Sequence, residues 1–215
     1  MSAAASDSVV LAMFPLPDVT FFPHTLLPLH IFEGRYRAMV TDALARDRRL
    51  CVVQLQPGYE ATYAGKPAVR SVAGAGEIVK WERLPSGRYN ILLKGETRVR
   101  IEREHPSDTL YRVVIGRRLE DIAPREDVSP QLARIRSACR RLLVLLDRSP
   151  DLLDTMLADG QSPGVVADRV AAAVMPDAAV RQRLLETVDV GERLVVLSSA
   201  VEDLVNNLKE GRGRG

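Results

Sequence analysis

The sequence predicts an α+β protein in which a strand-rich first half is followed by a helical second half. Up to about residue 125, apolar side chains recur at alternate positions, which is the period of a half-buried strand. From about residue 128 onward they recur at spacings of three and four, which is the period of an amphipathic helix. Residues 122–130 hold two prolines and mixed charges, and they predict a junction between the two halves.

The first half is predicted to contain antiparallel strands and one helix. Pro28 places the strand over residues 26–31 at a sheet edge or a bend, because proline cannot donate a backbone hydrogen bond. A helix is predicted over residues 32–46, where the apolar residues fall on one helical face. Residues 57–73 are predicted to form a long exposed loop. Strands are predicted at 9–14, 26–31, 50–56, 78–84 and 88–93, and around Val99 and Val113.

Helix start signals organise the second half. Ser162 followed by Pro163 predicts a helix N-cap and first position, and Asp177 predicts the cap of a short helix. Asp189 and Glu192 have the spacing of a capping box for the last helix. The predicted organisation is therefore a disordered start (1–8), a β-rich domain (9–122), a helical domain (128–208) and a disordered tail (209–215).

Composition narrows the function classes. The chain has 215 residues, 46% hydrophobic and 27% charged, so it can bury a full core. A net charge of +2 is well below that of a typical nucleic-acid binder, although 26 of its 30 basic residues are arginine. Cys51 and Cys139 are expected to be buried thiols. With no signal peptide or membrane-spanning run in the sequence, we expect a cytoplasmic protein without a membrane partner.

Three kinds of catalytic or cofactor site were considered and rejected. The run Gly160-Gln161-Ser162-Pro163-Gly164 matches a nucleophile elbow, but no histidine follows residue 105 to complete a triad. Histidine and cysteine residues lack the spacing of a metal site. The glycine-rich nucleotide-binding motifs are absent, and Gly74-Ala75-Gly76 precedes a predicted strand. We therefore expect no catalytic residue, metal or cofactor.

Arginine residues on neighbouring predicted strands suggest a competing function. Together with Tyr89 and Tyr111, they could bind single-stranded nucleic acid by charge and stacking. Interleaved acidic residues oppose this interpretation, because they cancel much of the positive field. The arginines are Arg98, Arg100, Arg103, Arg112, Arg117 and Arg118, and the acidic residues are Glu96, Glu102, Glu104, Glu120 and Asp121.

Several motifs together resemble the amino-terminal domain family of Lon proteases. The opening motif runs from Phe14-Pro15-Leu16-Pro17-Asp18-Val19 through residues 22–33 to Arg35-Tyr36-Arg37. The order of later segments is similar too: Gly76-Glu77-Ile78, residues 88–101 with Leu93-Lys94-Gly95, Leu184-Leu185-Glu186 and Val190-Gly191-Glu192-Arg193-Leu194. The resemblance covers about residues 8–208, and from it we expect a bacterial, stand-alone copy without ATPase or protease modules.

The resemblance implies a pseudo-barrel related to the PUA fold, with one inserted helix, followed by a helical bundle. It also implies a non-enzymatic module that binds unfolded or partner proteins, with nucleic-acid (RNA) binding as the alternative and weak self-association left open. The contact surface is expected among the apolar residues near the opening motif, although most of these could instead pack the barrel against its helix. The candidates are Phe21, Phe22, Leu26, Leu27, Phe32, Glu33, Arg35 and Tyr36.

Overall fold

A computed structural model describes residues 8–63, 65–149, 157 and 160–212. The chain divides into two compact units, Met1–Glu120 and Asp121–Gly215. Strands fill the first unit and helices the second, so the predicted α+β class is confirmed.

Six strands and one α-helix build the first unit. The helix α1 spans Gly34–Leu44, and a turn of 3-10 helix spans Tyr59–Thr62. The strands are β1 Ser8–Leu16, β2 Leu26–Ile31, β3 Arg49–Gln54, β4 Val72–Arg83, β5 Tyr89–His105 and β6 Arg112–Leu119.

The long strand β5 closes the sheet into a barrel. The strand order is β2-β5-β4-β3-β1-β6, and β5 also pairs with β6. Residues 89–94 of β5 lie between β2 and β4, whereas residues 98–105 pair with β6. Strands β5, β4, β3, β1 and β6 therefore form a closed ring, and β2 extends one side of it. The predicted pseudo-barrel with one inserted helix is confirmed.

The predicted loop over residues 57–73 is shorter than expected, because β4 begins at Val72. Gly74 and Gly76 lie inside β4 instead of preceding a strand. Glycine is a poor strand former, which is why sequence propensity ended the strand there. In the fold these glycines permit close backbone approach: a Cβ added at Gly74 would lie 1.7 Å from the carbonyl oxygen of Phe21.

Two apolar cores stabilise the first unit. One fills the barrel interior and includes Met13, Val53 and Val99. The other lies between the sheet and α1, where Phe21 and Met39 are buried. At roughly 25 cal/mol per Å² of apolar surface removed from water, burial of such side chains is the main stabilising contribution.

The described part of the second unit contains four α-helices: α2 Ser129–Leu145, α3 Pro163–Val174, α4 Ala178–Glu186 and α5 Val190–Arg212. Asp177 caps α4 by accepting from the Val180 amide at 2.8 Å, and Asp189 accepts from the Glu192 amide at 2.9 Å. Ser162 stands at the N-cap of α3 but makes no side-chain capping bond.

The predicted disordered ends need correction. Strand β1 already begins at Ser8, which pairs with Arg117. Helix α5 continues to Arg212, because Lys209 and Glu210 are good helix formers and Gly211 comes near the helix end. Residues 1–7 and 213–215 lie outside the described residues.

A buried arginine joins three segments of the second unit. The side chain of Arg193 is 0% exposed and forms ion pairs with Asp121 and with Asp168, which is also 0% exposed. Arg193 Nε donates to the carbonyl of Thr187 at 2.8 Å, and Nη2 donates to that of Val188. The guanidinium therefore ties the start of the unit to α3 and α5.

Both cysteines are expected to resist alkylation in the folded protein. Burial raises the pKa of the Cys51 thiol to about 12 and that of Cys139 to about 11, so the reactive thiolate is scarce at pH 8. We expect iodoacetamide labelling at pH 8 to be roughly a hundredfold or more slower than in the guanidinium-unfolded chain. Mass spectrometry of timed samples measures this ratio, and equal rates would contradict the buried placement.

Candidate polypeptide-binding face

The structure separates the eight candidate contact residues into three groups. Phe21, Phe22 and Tyr36 are buried, at 1%, 0% and 4% exposure. Leu26 and Phe32 are exposed, at 60% and 59%. The remaining candidates are half-buried: Leu27, Glu33 and Arg35. The buried three pack the core, as the alternative interpretation expected, and the structure removes them from the candidate surface.

Strand geometry explains why Leu26 and Leu27 differ. Successive side chains of a strand point to opposite faces of the sheet. Leu27 and Leu29 therefore point with Ile31 into the core, whereas Leu26, Pro28 and His30 point outward. A period-two analysis of this short strand could have separated the two sets.

The outward side of β2 forms a mainly apolar strip, which we call the β2 face. Pro28 lies opposite Leu92 of β5, and Phe32, just after the strand, stacks on the His30 ring with 6.3 Å between centroids. The β2 face comprises Leu26, Pro28, His30, Phe32 and Leu92. Of these five residues, only Leu26 and Phe32 are predicted as contact residues from the sequence.

A ladder of polar contacts runs from His30 of the β2 face across the sheet. His30 Nδ1 lies 2.8 Å from Asn90 Oδ1, and Asn90 Nδ2 donates to Glu82 Oε2 at 3.2 Å. These contacts cross from β2 through β5 to β4 and hold the His30 ring in position. Because Phe32 stacks on that ring, the ladder also places the exposed phenyl group.

Glu33, Arg35 and Tyr36 form a separate cluster with Tyr63. Glu33 accepts hydrogen bonds from Arg35 and from the Tyr63 hydroxyl, both at 3.0 Å. The Arg35 guanidinium lies 4.6 Å from the Tyr36 ring centroid and 5.3 Å from that of Tyr63. Burial raises the pKa of Tyr36 to about 12, although Arg35 acts to lower it. The charged groups satisfy one another, so we interpret the cluster as fastening the segment around Tyr63 to the start of α1.

A cleft of about 500 Å³ lies beside this cluster, and Glu104 and Arg112 in its wall are paired with each other. Arg112 donates to Glu104 and to the carbonyl of Pro67 at 2.8 Å. Burial acts to raise the pKa of Glu104, but hydrogen bonds from Arg112 and Lys66 leave it lowered. The charges of Arg112, Glu104 and Lys66 in this wall therefore largely neutralise one another.

The predicted arginine surface is only partly present. Arg98 is 2% exposed, and Arg112 is engaged by Glu104. Arg117 lies 3.5 Å from Glu102. Arg117 is nevertheless 59% exposed, and Arg100, Arg103 and Arg118 are exposed as well. The positive surface is smaller than the sequence suggested, because Arg98 is buried and Glu104 engages Arg112.

Within the described residues, no group of three or more His, Cys, Asp or Glu side chains is placed to hold a metal ion. Across the same part of the chain, every helix is too short or too polar to cross a membrane. Ser162 begins a helix after a turn at Gly160, not after a strand as a nucleophile elbow requires.

Sequence comparison gives the family of this fold. Residues 10–203 match the family described as the ATP-dependent protease La (LON) substrate-binding domain. The chain belongs to this family. The match spans both the barrel and the described helices, so the resemblance seen in the opening and closing motifs is confirmed.

Curated relatives of the domain are longer proteins. A Lon protease of Xanthomonas oryzae pv. oryzae is 28% identical over 225 aligned residues, covering 100% of this chain and 26% of the relative. A Lon protease of Geobacter metallireducens is 33% identical over 193 residues, covering 86% of the chain and 23% of the relative. The chain therefore spans about a quarter of the length of such relatives, and only their substrate-binding part is matched.

Solved structures share the same fold. The N-terminal domain of a Mycobacterium avium complex Lon protease superposes with a TM-score of 0.68 at 21% identity, covering 91% of this chain and 99% of the other. A Lon N-terminal domain protein from Xanthomonas campestris gives a TM-score of 0.60 at 21% identity, covering 89% and 98%. These matches support the architecture of barrel followed by helices.

Proposed function

We propose that this domain binds unfolded or extended polypeptides through the β2 face and itself carries out no chemistry. The single observation that carries the proposal is the exposure of Leu26 and Phe32, at 60% and 59%, on one apolar strip in a substrate-binding domain. Exposed apolar strips of this kind lose water when a partner docks, and that loss favours binding.

The physical logic favours unfolded chains over folded partners. A folded protein hides most of its large apolar side chains, whereas an unfolded chain presents them along an extended backbone. Leu26, Pro28 and the half-buried Leu92 offer an apolar surface that such side chains can cover. The mixed charges around the strip, with Lys94 opposite Leu26 and Glu77 opposite Lys94, favour neither acidic nor basic chains.

Aspartate substitutions on the β2 face are expected to weaken binding at least tenfold. Leu26→Asp and Phe32→Asp each place a charge where an apolar contact forms, and tenfold corresponds to about 1.4 kcal/mol. Fluorescence anisotropy with a labelled, reduced and alkylated model protein, which cannot refold, measures the dissociation constant.

Val10→Asp is the matched control, since Val10 is 59% exposed on β1 and lies outside the β2 face. Its affinity should stay within about twofold of the parent, and circular dichroism checks that all three variants fold. Equal affinity of the Leu26 and Phe32 variants with the parent would refute the proposal. So would an equal loss in the Val10 variant.

RNA binding remains the alternative and has less support. Its positive surface is reduced to Arg100, Arg103, Arg117 and Arg118, since Arg98 is buried and Arg112 is engaged by Glu104. Affinity for single-stranded RNA that falls steeply with added salt, and that is lost on replacing these four residues, would favour the alternative.

A further inference from the structure

Strand β2 has a free backbone edge. Within the described sheet it stands last in the strand order and pairs only with β5. Its outward side chains Leu26, Pro28 and His30 are all exposed. An unpaired strand edge presents a row of N–H and C=O groups, and these are complementary to another extended chain.

The register shows which backbone groups point to that edge. The Gly95 amide donates to the carbonyl of Thr25 at 2.9 Å, so Thr25 directs its carbonyl toward β5. In an antiparallel pair the direction alternates from residue to residue. Leu27, Leu29 and Ile31 therefore direct their backbone groups toward β5. The backbone groups of Leu26, Pro28 and His30 point away from it.

Pro28 independently supports this assignment. Proline has no amide hydrogen, so a proline directed at β5 would remove a bond from the sheet. At an outward position the missing donor costs the sheet nothing. Leu26 and His30 can each exchange a pair of hydrogen bonds with an added strand, and Pro28 can only accept one.

Pro28 also favours pairing of the β2 edge with a different polypeptide over pairing with β2 of a second copy of this chain. Two β2 strands paired symmetrically about this residue would place proline opposite proline and lose both central hydrogen bonds. An added chain of another sequence can still donate its own amide to the Pro28 carbonyl. The edge is therefore better matched to an unfolded segment than to itself.

We propose that extended polypeptides bind by β-addition to β2 and are selected for apolar side chains at alternate positions. This inference rests on the proposed function and deepens it. Residues of the added strand that hydrogen-bond to Leu26, Pro28 and His30 carry their side chains on the same face of the sheet. Those side chains therefore cover the β2 face, whereas the intervening ones point to the other side.

Backbone methylation of a short peptide tests the binding mode. The parent peptide has nine residues, with leucine at positions 3, 5 and 7 and polar residues elsewhere. N-methylation at positions 3 and 7 removes the donors directed at β2 and should weaken binding at least tenfold. The matched control, N-methylated at positions 4 and 6, should stay within threefold, because those amides point away. If the peptide shifts along β2 by two residues, its odd-numbered amides still point toward β2. The test therefore does not require the exact pairing register to be known.

A hydrogen-exchange measurement gives a second readout on the protein itself. Peptide binding should slow exchange at the Leu26 and His30 amides, while the Leu27 and Leu29 amides, already paired with β5, should change little. Equal effects of the two methylation patterns would overturn β-addition. Unchanged exchange rates of the Leu26 and His30 amides in the bound state would also overturn it. The same holds if the peptide fails to bind while the unfolded protein binds.

These failures are distinguishable from failure of the proposed function. If the tests rule out β-addition alone, Leu26→Asp and Phe32→Asp should still weaken binding of the unfolded protein. If the two substitutions also leave binding of the unfolded protein unchanged, both β-addition and the proposed function are refuted. A dimer formed through β2 in the free protein, seen by size-exclusion chromatography with light scattering, would assign the edge to a second copy and overturn the inference.

Discussion

Replacing Arg193 by methionine is expected to lower the free energy of unfolding by about 3–5 kcal/mol. The substitution leaves the fully buried carboxylate of Asp168 without its guanidinium partner and also removes the pair with Asp121. A buried charge that loses its counter-ion pays the desolvation cost without compensation. Urea denaturation followed by circular dichroism measures the change.

A surface ion pair in the same unit supplies the control for Arg193. Arg141 pairs with Glu202, and their side chains are 40% and 35% exposed, so Arg141→Met should cost about 1 kcal/mol or less. Adding Asp168→Leu to Arg193→Met should recover part of the lost stability, because the buried charge is then absent. If the two single arginine variants are equally stable, the buried network does not hold the helices together.

Gly95→Ala is expected to lower the free energy of unfolding by about 3 kcal/mol, at the upper end of the usual cost of overpacking. A Cβ at this position would lie 2.0 Å from the carbonyl oxygen of Phe22, and backbone cannot swing aside as a flexible side chain can. Gly95 also donates to Thr25 and accepts from the His24 amide, and both of these residues lie just before β2. We therefore expect weaker binding of unfolded protein as well, because the β2 face shifts with that segment.

Gly34→Ala is the matched control for Gly95. The nearest heavy atom to its added Cβ is Arg37 Nη2 at 3.9 Å, and the residue lies in the first turn of α1. Alanine favours helix over glycine, so this variant should be as stable as the parent or up to about 1 kcal/mol more stable. Thermal unfolding compares the two variants. Equal melting temperatures would mean that the barrel tolerates displacement of residues 22–25.

Most of the fold could be predicted from local patterns. Residues 26–31 are predicted as a strand with the bounds that the structure has, because a short extended apolar run containing a proline is a local signal. Asp177 and Asp189 were assigned as helix caps for the same reason, since a cap is a contact between near neighbours in sequence. Gly74 and Gly76 were misplaced outside β4, because their role is contact with a distant segment.

The candidate site was only partly predictable. Leu26 and Phe32 were named from the opening motif, but Phe21, Phe22 and Tyr36 were named with them and are buried. Apolar character is the same for a core residue and a contact residue, and only the packing of other segments distinguishes them. Leu92 was missed because it joins the β2 face by cross-strand pairing with Pro28.

The sequence by itself determined the α+β class, the starts of the last three helices and the family, because these depend on periodicity, capping residues and motif order within the chain. Tertiary structure alone decided that β2 lies at a free edge, which of its side chains point outward, and that Arg193 meets Asp121 and Asp168. The physical reason is that burial and strand pairing join residues far apart in sequence, and no local pattern encodes which of them meet.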